Sequence, residues 1–406
     1  GGAEVPTGII QSGILNFPGN VSFRVFGSGE NGAGSLALVS GEGTISLNNT
    51  SNNFDGTLVV NAETIDVLIA GGDASDNELS LGNIKTKSLE LVSAGDTFVQ
   101  ATGTTIETQD LFLSSTNSGA FTLTNDNVID DLAAIVDGAV SLKTTASLSG
   151  GGIDIRTSAA PVSGTSYGNY SATNANLTIE TSVDYNLQNS INLGTGDLVF
   201  KTTAGHGISL GTTGETLILG TSALGLITAG STTFETVDSN IIVGSLAGTD
   251  TDSTGLITLT SGANLNFESG SSSSFTGGVS ATAVEDIIVD ANATVASNGN
   301  ALSLIAEDLL RIRADADLNG GTNGNITLTG KGLSGSGYGV DILPAIEGSG
   351  DLTTSGTTSI TTAGTGTITI TGTGGQNSGT KNFGIKIGEK NDTGAATDGD
   401  VNSILI

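Results

Sequence analysis

The most chemically versatile side chains are scarce here: the chain has one histidine, His206, and no cysteine. His206 lies within residues 205–211 (GHGISLG). A histidine in a hydrolytic site needs carboxylates beside it, one to protonate the leaving oxygen and one to activate water. Asp184 precedes His206 by about one predicted coil, Asp131 precedes it by several, and the first arginine after it is Arg311. This spacing favours a glycine turn leading into a strand. We therefore predict a non-enzymatic protein, with His206 as its single catalytic candidate.

The same phrase resembles the G-H-G-x-S-x-G sequence of polygalacturonase-type glycoside hydrolases, which are right-handed β-helices. The resemblance implies an enzyme that cleaves acidic polysaccharide, with His206 in its active site. Those enzymes also carry paired aspartates on neighbouring coils and a basic R-x-K phrase, and neither occurs at the matching distances here. A polysaccharide-degrading β-helix enzyme is therefore an alternative function, and a non-catalytic glycan-binding solenoid is a third.

Side-chain oxygens gather in two places. The larger group consists of Asp315, Asp317, Asn319, Asn323 and Asn325. The smaller group consists of Asp250, Asp252 and Ser253. Calcium takes six to eight oxygen ligands, and glycine-rich aspartate turns bind it where they repeat in tandem. The turns at 194–198 (GTGDL) and 348–352 (GSGDL) are single copies. We favour solvated turns, with structural calcium at the four aspartates as the only cofactor that the sequence suggests.

A glycan-binding module would need an aromatic platform for sugar stacking. The chain has four tyrosines, and two of them, Tyr167 and Tyr170, lie in a segment that breaks the strand pattern. We predict that these two residues are the candidates for such a platform.

Threonines alternate in several strand-like phrases, including Thr327 and Thr329, and Thr369 and Thr371. On stacked parallel strands they would form outward ranks. Ice-binding solenoids carry flat arrays of this kind. The phrases do not recur over adjacent coils here, so we interpret these threonines as ordinary solvent-facing residues.

Composition excludes several classes of partner. The formal net charge is −29, from 41 acidic and 12 basic residues. Phosphate binding requires clusters of lysine and arginine, so we predict no nucleic-acid partner. The absence of cysteine excludes disulfides and thiolate metal sites. No apolar run approaches the length that a membrane-spanning helix needs, so we predict no membrane insertion.

Short strand phrases repeat along the chain. Those beginning at Leu177, Leu198 and Leu217 are 21 (198 − 177) and 19 (217 − 198) residues apart. Apolar and polar residues alternate in them, and turn residues bound them, which is typical of strands. A unit of this length buries its apolar face by stacking on the next unit. We predict an all-β fold, a right-handed parallel β-helix (β-solenoid) with coils of roughly 20 residues.

We predict a single solenoid region over 1–406, with loop excursions at 157–174 and 388–400. In the last third, residues 324–330 (GNITLTG) recur as 366–372 (GTITITG), with equivalent isoleucines 42 residues apart (368 − 326). For coils of roughly 20 residues, this offset predicts two coils between equivalent positions. Because the sequence begins without methionine, we expect a mature or internal segment of a longer protein.

Two phrases resemble those of large bacterial filamentous-haemagglutinin-like proteins. Residues 53–60 (NFDGTLVV) are similar to N-D-F-G-G-x-V-x-V, and 127–134 (NVIDDLAA), followed by 138–142 (GAVSL), is similar to N-x-V-x-x-L-A-A and the strand after it. The resemblance implies a right-handed parallel β-helix that is exported and located extracellularly or at the bacterial cell surface, as an adhesin, a filament or a surface-layer component. Its partners would be like chains, or glycans and proteins of a host or matrix surface. The N-P-N-G-type motif of the usual secretion domain is not found here, so the export route stays open.

Overall fold

The computed structural model describes residues 8–10, 13, 15–17, 21–24, 44–54, 57–71, 78–149, 153–155, 158–332, 338–343, 358–374 and 383–387. The chain divides into two compact units. The first comprises Gly1–Phe200 and Leu226–Gly230, and the second comprises Lys201–Gly225 and Ser231–Ile406.

The described chain is all-β apart from two one-turn helices. Strands β1 to β19 are, in order, Gly8–Ile10, Asn16–Phe17, Val21–Arg24, Thr44–Leu47, Asn53–Phe54, Leu58–Ala70, Glu78–Ser93, Thr97–Gln100, Ile106–Ser115, Ala120–Val136, Val140–Ala146, Ile153–Ile155, Ser158–Ala159, Ser166–Tyr167, Tyr170–Ala172, Leu177–Thr181, Tyr185–Leu187, Ile191–Asn192 and Asp197–Thr202. Strands β20 to β38 are Ile208–Leu210, Leu217–Leu219, Ile227–Thr228, Ser231–Glu235, Ile241–Val243, Leu256–Ser261, Leu265–Phe267, Ser272–Ser274, Val279–Ala283, Ile287–Val289, Thr294–Ala296, Leu302–Ala306, Leu310–Ile312, Asp317–Thr322, Ile326–Gly330, Tyr338–Ile342, Ser359–Ala363, Ile368–Gly372 and Phe383–Ile387. The helices are α1 (Thr221–Leu224) and α2 (Gly248–Thr251).

Strands of the first unit pair in parallel, apart from β13 with β14, so that residues about one repeat apart are direct neighbours. One inward row consists of Leu79, Phe98, Phe121, Val140 and Leu177. Each of these side chains is at most 1% exposed, and the rings of Phe98 and Phe121 are 5.4 Å apart. A second inward row consists of Leu89, Leu111, Leu132 and Ile155. The core of this unit is therefore built from rows of buried side chains, to which each layer contributes one residue.

The second unit repeats three strands per layer. The inward rows of its three sheets are Ile257, Val279, Leu302 and Ile326; Ile241, Leu265, Ile287 and Leu310; and Ser273, Val295, Leu318 and Ile360. Strands β28, β31 and β34 each show strict alternation of buried and half-buried residues. This is the period of two that a parallel strand with one inward face requires. Aliphatic and β-branched side chains suit that stacked, pleated surface.

Asparagines at the corners bond one layer to the next. Asn127, which opens the second haemagglutinin-like phrase, is fully buried. Its Oδ1 accepts from Gln100 Nε2 (2.7 Å) and the Ile106 amide (2.8 Å), and its Nδ2 donates to the carbonyls of Leu123 (3.1 Å) and Lys143 (3.0 Å). Asn127 lies within β10, where this strand shifts register against β11. Such a buried amide satisfies backbone groups that the irregularity would otherwise leave without partners.

Two sequence predictions about the layers are wrong in detail. Ile326 pairs directly with Ile368, so the offset between these isoleucines is one layer and not two. The extra residues lie between the strands, where length is tolerated. Leu217 opens β21, which pairs with β20 through Ile208, so it is not the successor of Leu198.

The predicted excursion at 157–174 is only partly an excursion. Strands β13 and β14 form an antiparallel hairpin within it. The following strand, β15, pairs in parallel with β10 and β18 and so belongs to the layers. The second predicted excursion, 388–400, lies outside the described residues. Among the described residues, no helix is long and apolar enough to cross a membrane.

Candidate functional site

His206 lies in the turn that precedes β20 and is half-buried. Its Nδ1 lies 3.2 Å from the Thr216 hydroxyl, and its carbonyl accepts from the Thr202 hydroxyl at 2.6 Å. Gly205, which has a φ of +79°, allows the sharp bend, because glycine adopts the left-handed region at no steric cost. The local structure is the predicted glycine turn leading into a strand.

Two carboxylates lie at this turn that the sequence spacing missed. Asp238 Oδ1 accepts the Gly205 amide at 2.6 Å. Glu215 lies over Gly207, where a Cβ would be 2.2 Å from its Oε2. Both residues follow His206 in sequence, whereas the hydrolase pattern has its aspartates before the histidine. Only the register of β20 with β21 and β24 brings these segments together.

The residues that the hydrolase comparison singled out have other contacts. Asp184 Oδ1 accepts the amide of the adjacent Tyr185 at 2.8 Å. Arg311 forms an ion pair with Asp341 in the next layer, at 3.2 Å. The carboxylate of Asp341 is fully buried, so removal of Arg311 would leave a buried charge without its closest partner.

The first two calcium candidates lie at α2. Asp250 Oδ2 accepts the Ala247 amide at 2.8 Å, which caps the start of this one-turn helix. Asp252 follows the helix, is exposed, and accepts from the Ser253 hydroxyl at 3.2 Å. An acidic side chain in the first turn of a helix is a common stabilising device.

The other two calcium candidates lie on one outward edge. Asp315 has a φ of +60° and takes the turn position that Asn292, with a φ of +59°, has one layer earlier. Asp and Asn tolerate this left-handed conformation better than most residues. Asp317 begins β33, half-buried, with its Cα paired to Thr294. Turn geometry therefore accounts for Asp315 without a metal.

Asparagines of the larger oxygen group make contacts between layers. Asn323 Oδ1 accepts the amide of Thr365 at 2.9 Å, and Asn325 Oδ1 accepts the amide of Thr367 at 2.9 Å. In the part of the chain that the structure describes, no group of three or more His, Cys, Asp or Glu is arranged to hold a metal ion. Calcium binding by the four aspartates stays a prediction.

The predicted aromatic platform is wrong, because Tyr167 and Tyr170 are both fully buried. Tyr167 lies on the β13–β14 hairpin and packs against Phe112, with ring centroids 5.2 Å apart. Tyr170 belongs to β15 and faces the core. Burial raises the pKa of both phenols, and for Tyr167 the carboxylate of Glu90 raises it further. A sugar cannot stack on rings that have no exposed face.

The hairpin is fixed to the outer face of the first unit by a buried carboxylate. Glu90 in β7 is 2% exposed. It accepts hydrogen bonds from the Ser163 hydroxyl (2.6 Å) and amide (3.3 Å) and from the Tyr167 hydroxyl (3.1 Å). These partners are far from Glu90 in sequence, and no local pattern could have indicated their contact.

Every lysine and arginine side chain that the structure describes is paired with a carboxylate, usually in an adjacent layer. The pairs are Lys85–Glu107, Lys87–Asp66, Lys143–Asp126, Lys143–Glu180, Lys201–Glu235, Arg311–Asp341, Arg313–Asp290, Lys331–Glu307 and Lys386–Asp341. Basic side chains held in this way do not form the clusters that phosphate backbones require.

Rows of outward residues follow the register. On the first unit one row consists of Asp66, Asp110, Asp131 and Asp154, with Ser88 in register between the first two. Ser88 is 1% exposed and donates to Asp66 Oδ1 at 2.9 Å. On the second unit one row consists of Thr233, Thr258, Ser280, Ser303, Thr327 and Thr369. The hydroxyl rank of the second unit is therefore continuous, because serines occupy the layers where the Thr-x-Thr phrase is missing.

A cavity of about 430 Å³ opens on the outer side of β6, β7 and β9 in the first unit. Its lining residues are Val59, Val60, Asn61, Asn83, Ile84, Lys85, Thr105 and Glu107. Lys85 Nζ and Glu107 Oε1 are 3.0 Å apart within it. No sequence motif indicates this site, because its polar residues come from three separate strands.

No family model, curated protein or solved structure shows a significant match to this chain.

Proposed function

We propose that this chain is a right-handed parallel β-helix that acts as a non-enzymatic structural or adhesive element at a bacterial surface. The observation that carries the proposal is the register: strands about one repeat apart pair in parallel, layer after layer, over an aliphatic core. A solenoid built in this way is stiff, because each layer is bonded to both neighbours.

Further support comes from the outer faces. The lysine and arginine side chains are held in ion pairs, mostly between layers, and two of the outward rows are made of carboxylates and hydroxyls. Such a surface disfavours polyanions such as nucleic acids. It suits contact with host or matrix glycans and proteins, or with like chains that add a layer at a strand edge.

Small-angle X-ray scattering of the full chain tests the architecture. Layers stacked about 4.8 Å apart should give the scattering profile of a rod. A profile typical of a compact sphere would overturn the β-helix. Beads coated with native protein should also be retained on glycan-bearing surfaces more strongly than beads coated with heat-denatured protein.

The enzymatic alternative rests on His206 together with the adjoining Glu215 and Asp238. It is tested by incubating the protein with polygalacturonate and related acidic glycans, with and without calcium. Release of reducing or unsaturated ends that is lost in His206→Ala would reverse the order of the two proposals. No release under any condition would leave the structural role as the better account.

A further inference from the structure

The cavity on β6, β7 and β9 has the size and lining of a small-molecule site. Its volume of about 430 Å³ falls within the roughly 300–1,000 Å³ usual for ligand pockets. Of its apolar lining residues, Val60 and Ile84 are each 1% exposed and face the core, so the half-buried Val59 alone forms the apolar wall of the cavity. Polar side chains from three adjacent layers surround this apolar wall.

The apolar wall is held in place by a close backbone contact. A Cβ at Gly82 would lie 2.6 Å from Val59 Cγ2 and 2.9 Å from Thr57 Cγ2. Only glycine at this position lets the Val59 side chain lie flat against β7. The half-buried valine therefore presents a fixed aliphatic surface to the cavity.

The polar groups are paired and oriented before any ligand binds. Asn61, Lys85 and Glu107 are register neighbours on successive strands. The ammonium and the carboxylate lie 3.0 Å apart with side chains 42% and 33% exposed, so both remain accessible. Asn83 Oδ1 accepts the Thr105 amide at 2.9 Å, which orients the amide group of this exposed side chain.

These groups select a ligand by charge. One ammonium, one carboxylate and two carboxamides sum to zero, so an ionic ligand would have to compete with the Lys85–Glu107 pair. A hydroxyl group can accept from the ammonium and donate to the carboxylate while that pair stays intact. Hydrogen bonds to charged groups are the stronger kind, and the aliphatic wall suits the C–H surface of a sugar ring.

We infer that this cavity is a binding site for a neutral saccharide. Lys85 and Glu107 contact ring hydroxyls, Asn61 and Asn83 supply further donors and acceptors, and Val59 packs on the ring. The inference deepens the adhesive role proposed above and depends on it only for its biological purpose. Saccharide binding and rod shape are measured separately, so either can fail while the other holds.

Saturation-transfer NMR on the full chain tests the site, with glucose, galactose, mannose and N-acetylglucosamine as probes and galacturonate as the anionic comparison. At least one neutral sugar should bind, with a Kd of about 1 mM, and galacturonate should bind more weakly. Glu107→Gln and Lys85→Met should each weaken binding about tenfold, as expected for losing a hydrogen bond to a charged group.

The second unit offers a matched control. Lys201 and Glu235 form an ion pair of nearly the same length, 2.9 Å, and exposure, 32% and 34%, but neither lines the cavity. Glu235→Gln and Lys201→Met should leave binding unchanged. If a cavity variant fails to fold, Asn61→Ala at an exposed position replaces it and should also weaken binding. The inference is overturned if no neutral sugar binds, if galacturonate binds as well, or if the control variants lose binding equally.

Discussion

The two units share one way of stacking strands but present different outer surfaces. In the first unit an outward row carries Asp66, Asp110, Asp131 and Asp154, with Ser88 among them. In the second unit a row on a different set of strands, from β23 to β37, carries only hydroxyl groups. The inward rows are mostly apolar in both. Parallel pairing thus restricts the inward positions and leaves the outward ones free to vary.

The units also differ in how deeply the asparagine side chains that connect their layers are buried. Asn127 in the first unit is fully buried and makes side-chain bonds to several layers. Asn264 in the second unit is half-buried, with Oδ1 accepting the Asp286 amide at 3.1 Å and Nδ2 donating to Glu285 at 2.8 Å. An unpaired polar group costs more when it is buried. The first unit should therefore be the more sensitive one to changes at its corner.

The largest effect should come from Asn127→Ala. It leaves the Ile106 amide, Gln100 and two carbonyls without their partner, at a cost of about 3 kcal/mol or more, since each buried orphan costs about 1–3 kcal/mol. Urea unfolding followed by circular dichroism should show a transition at clearly lower urea. Asn264→Ala is the matched change and should cost about 1 kcal/mol. Equal losses would remove the distinction between the two corners.

A smaller effect should come from Tyr167→Phe in the first unit. It removes one of the hydrogen bonds that Glu90 accepts and should cost about 1–2 kcal/mol, because a bond to a charged, buried group is lost. The matched change is Tyr170→Phe. The Tyr170 hydroxyl is buried without a partner among the described residues, so its removal should be neutral or stabilising. Thermal melts that rank the two variants the other way would contradict the role given to Glu90.

The sequence indicates the layers better than their connections. Alternation at Leu302–Ala306 or Ile326–Gly330 predicts a strand with one buried face, because the period of two is local. The direct pairing of Ile326 with Ile368 could not be predicted from the distance between them in sequence, since insertions between strands do not disturb the layer. The one-turn helices α1 and α2 also carry no signal, because so short a segment cannot show a helical period.

The candidate sites are harder to predict for the same reason. The sequence predicts the turn at His206, but the carboxylates of Glu215 and Asp238 reach it through register and not through spacing before it. The break in the strand pattern favours Tyr167 at the surface, and a hairpin folds it onto Phe112 and Glu90. The cavity on β6, β7 and β9 draws its polar groups from separate strands. Contacts between layers decide each of these cases, and single-strand patterns do not contain them.

Charging the hydroxyl row should convert part of the second unit to the pattern of the first. Ser280 and Ser303 are direct neighbours on β28 and β31, so Ser280→Asp with Ser303→Asp places like charges opposite each other. A double-mutant cycle should give an unfavourable coupling of roughly 0.2–1 kcal/mol. Salt near 1 M should remove it, because screening then acts over about 3 Å. A coupling that persists in salt would mean a steric cause.

The smallest effect concerns Asp286, which occupies the corner position that Asn264 holds one layer earlier. Burial raises the pKa of Asp286, and the neighbouring Asp308 and Glu285 add to the rise, while the Leu309 amide at 3.1 Å and Arg311 oppose it. A carboxyl with a raised pKa in the folded state stabilises below its unfolded pKa of about 3.9, and that contribution is lost as the pH rises through the folded pKa.

Asp286→Asn should therefore stabilise the protein at pH 7, by less than about 1 kcal/mol because solvent screens this half-exposed group. The gain should shrink toward zero as the pH falls to about 3, which thermal melts across that range would show. Asp290→Asn is the contrasting change: it breaks the 3.0 Å pair with Arg313 and should lower the melting temperature at pH 7. If Asp286→Asn also lowered the melting temperature, the Asp286 carboxylate would be a stabilising partner. The position of Asn264 and Asp286 in the second unit would then differ from that of Asn127 in the first unit in charge as well as in burial.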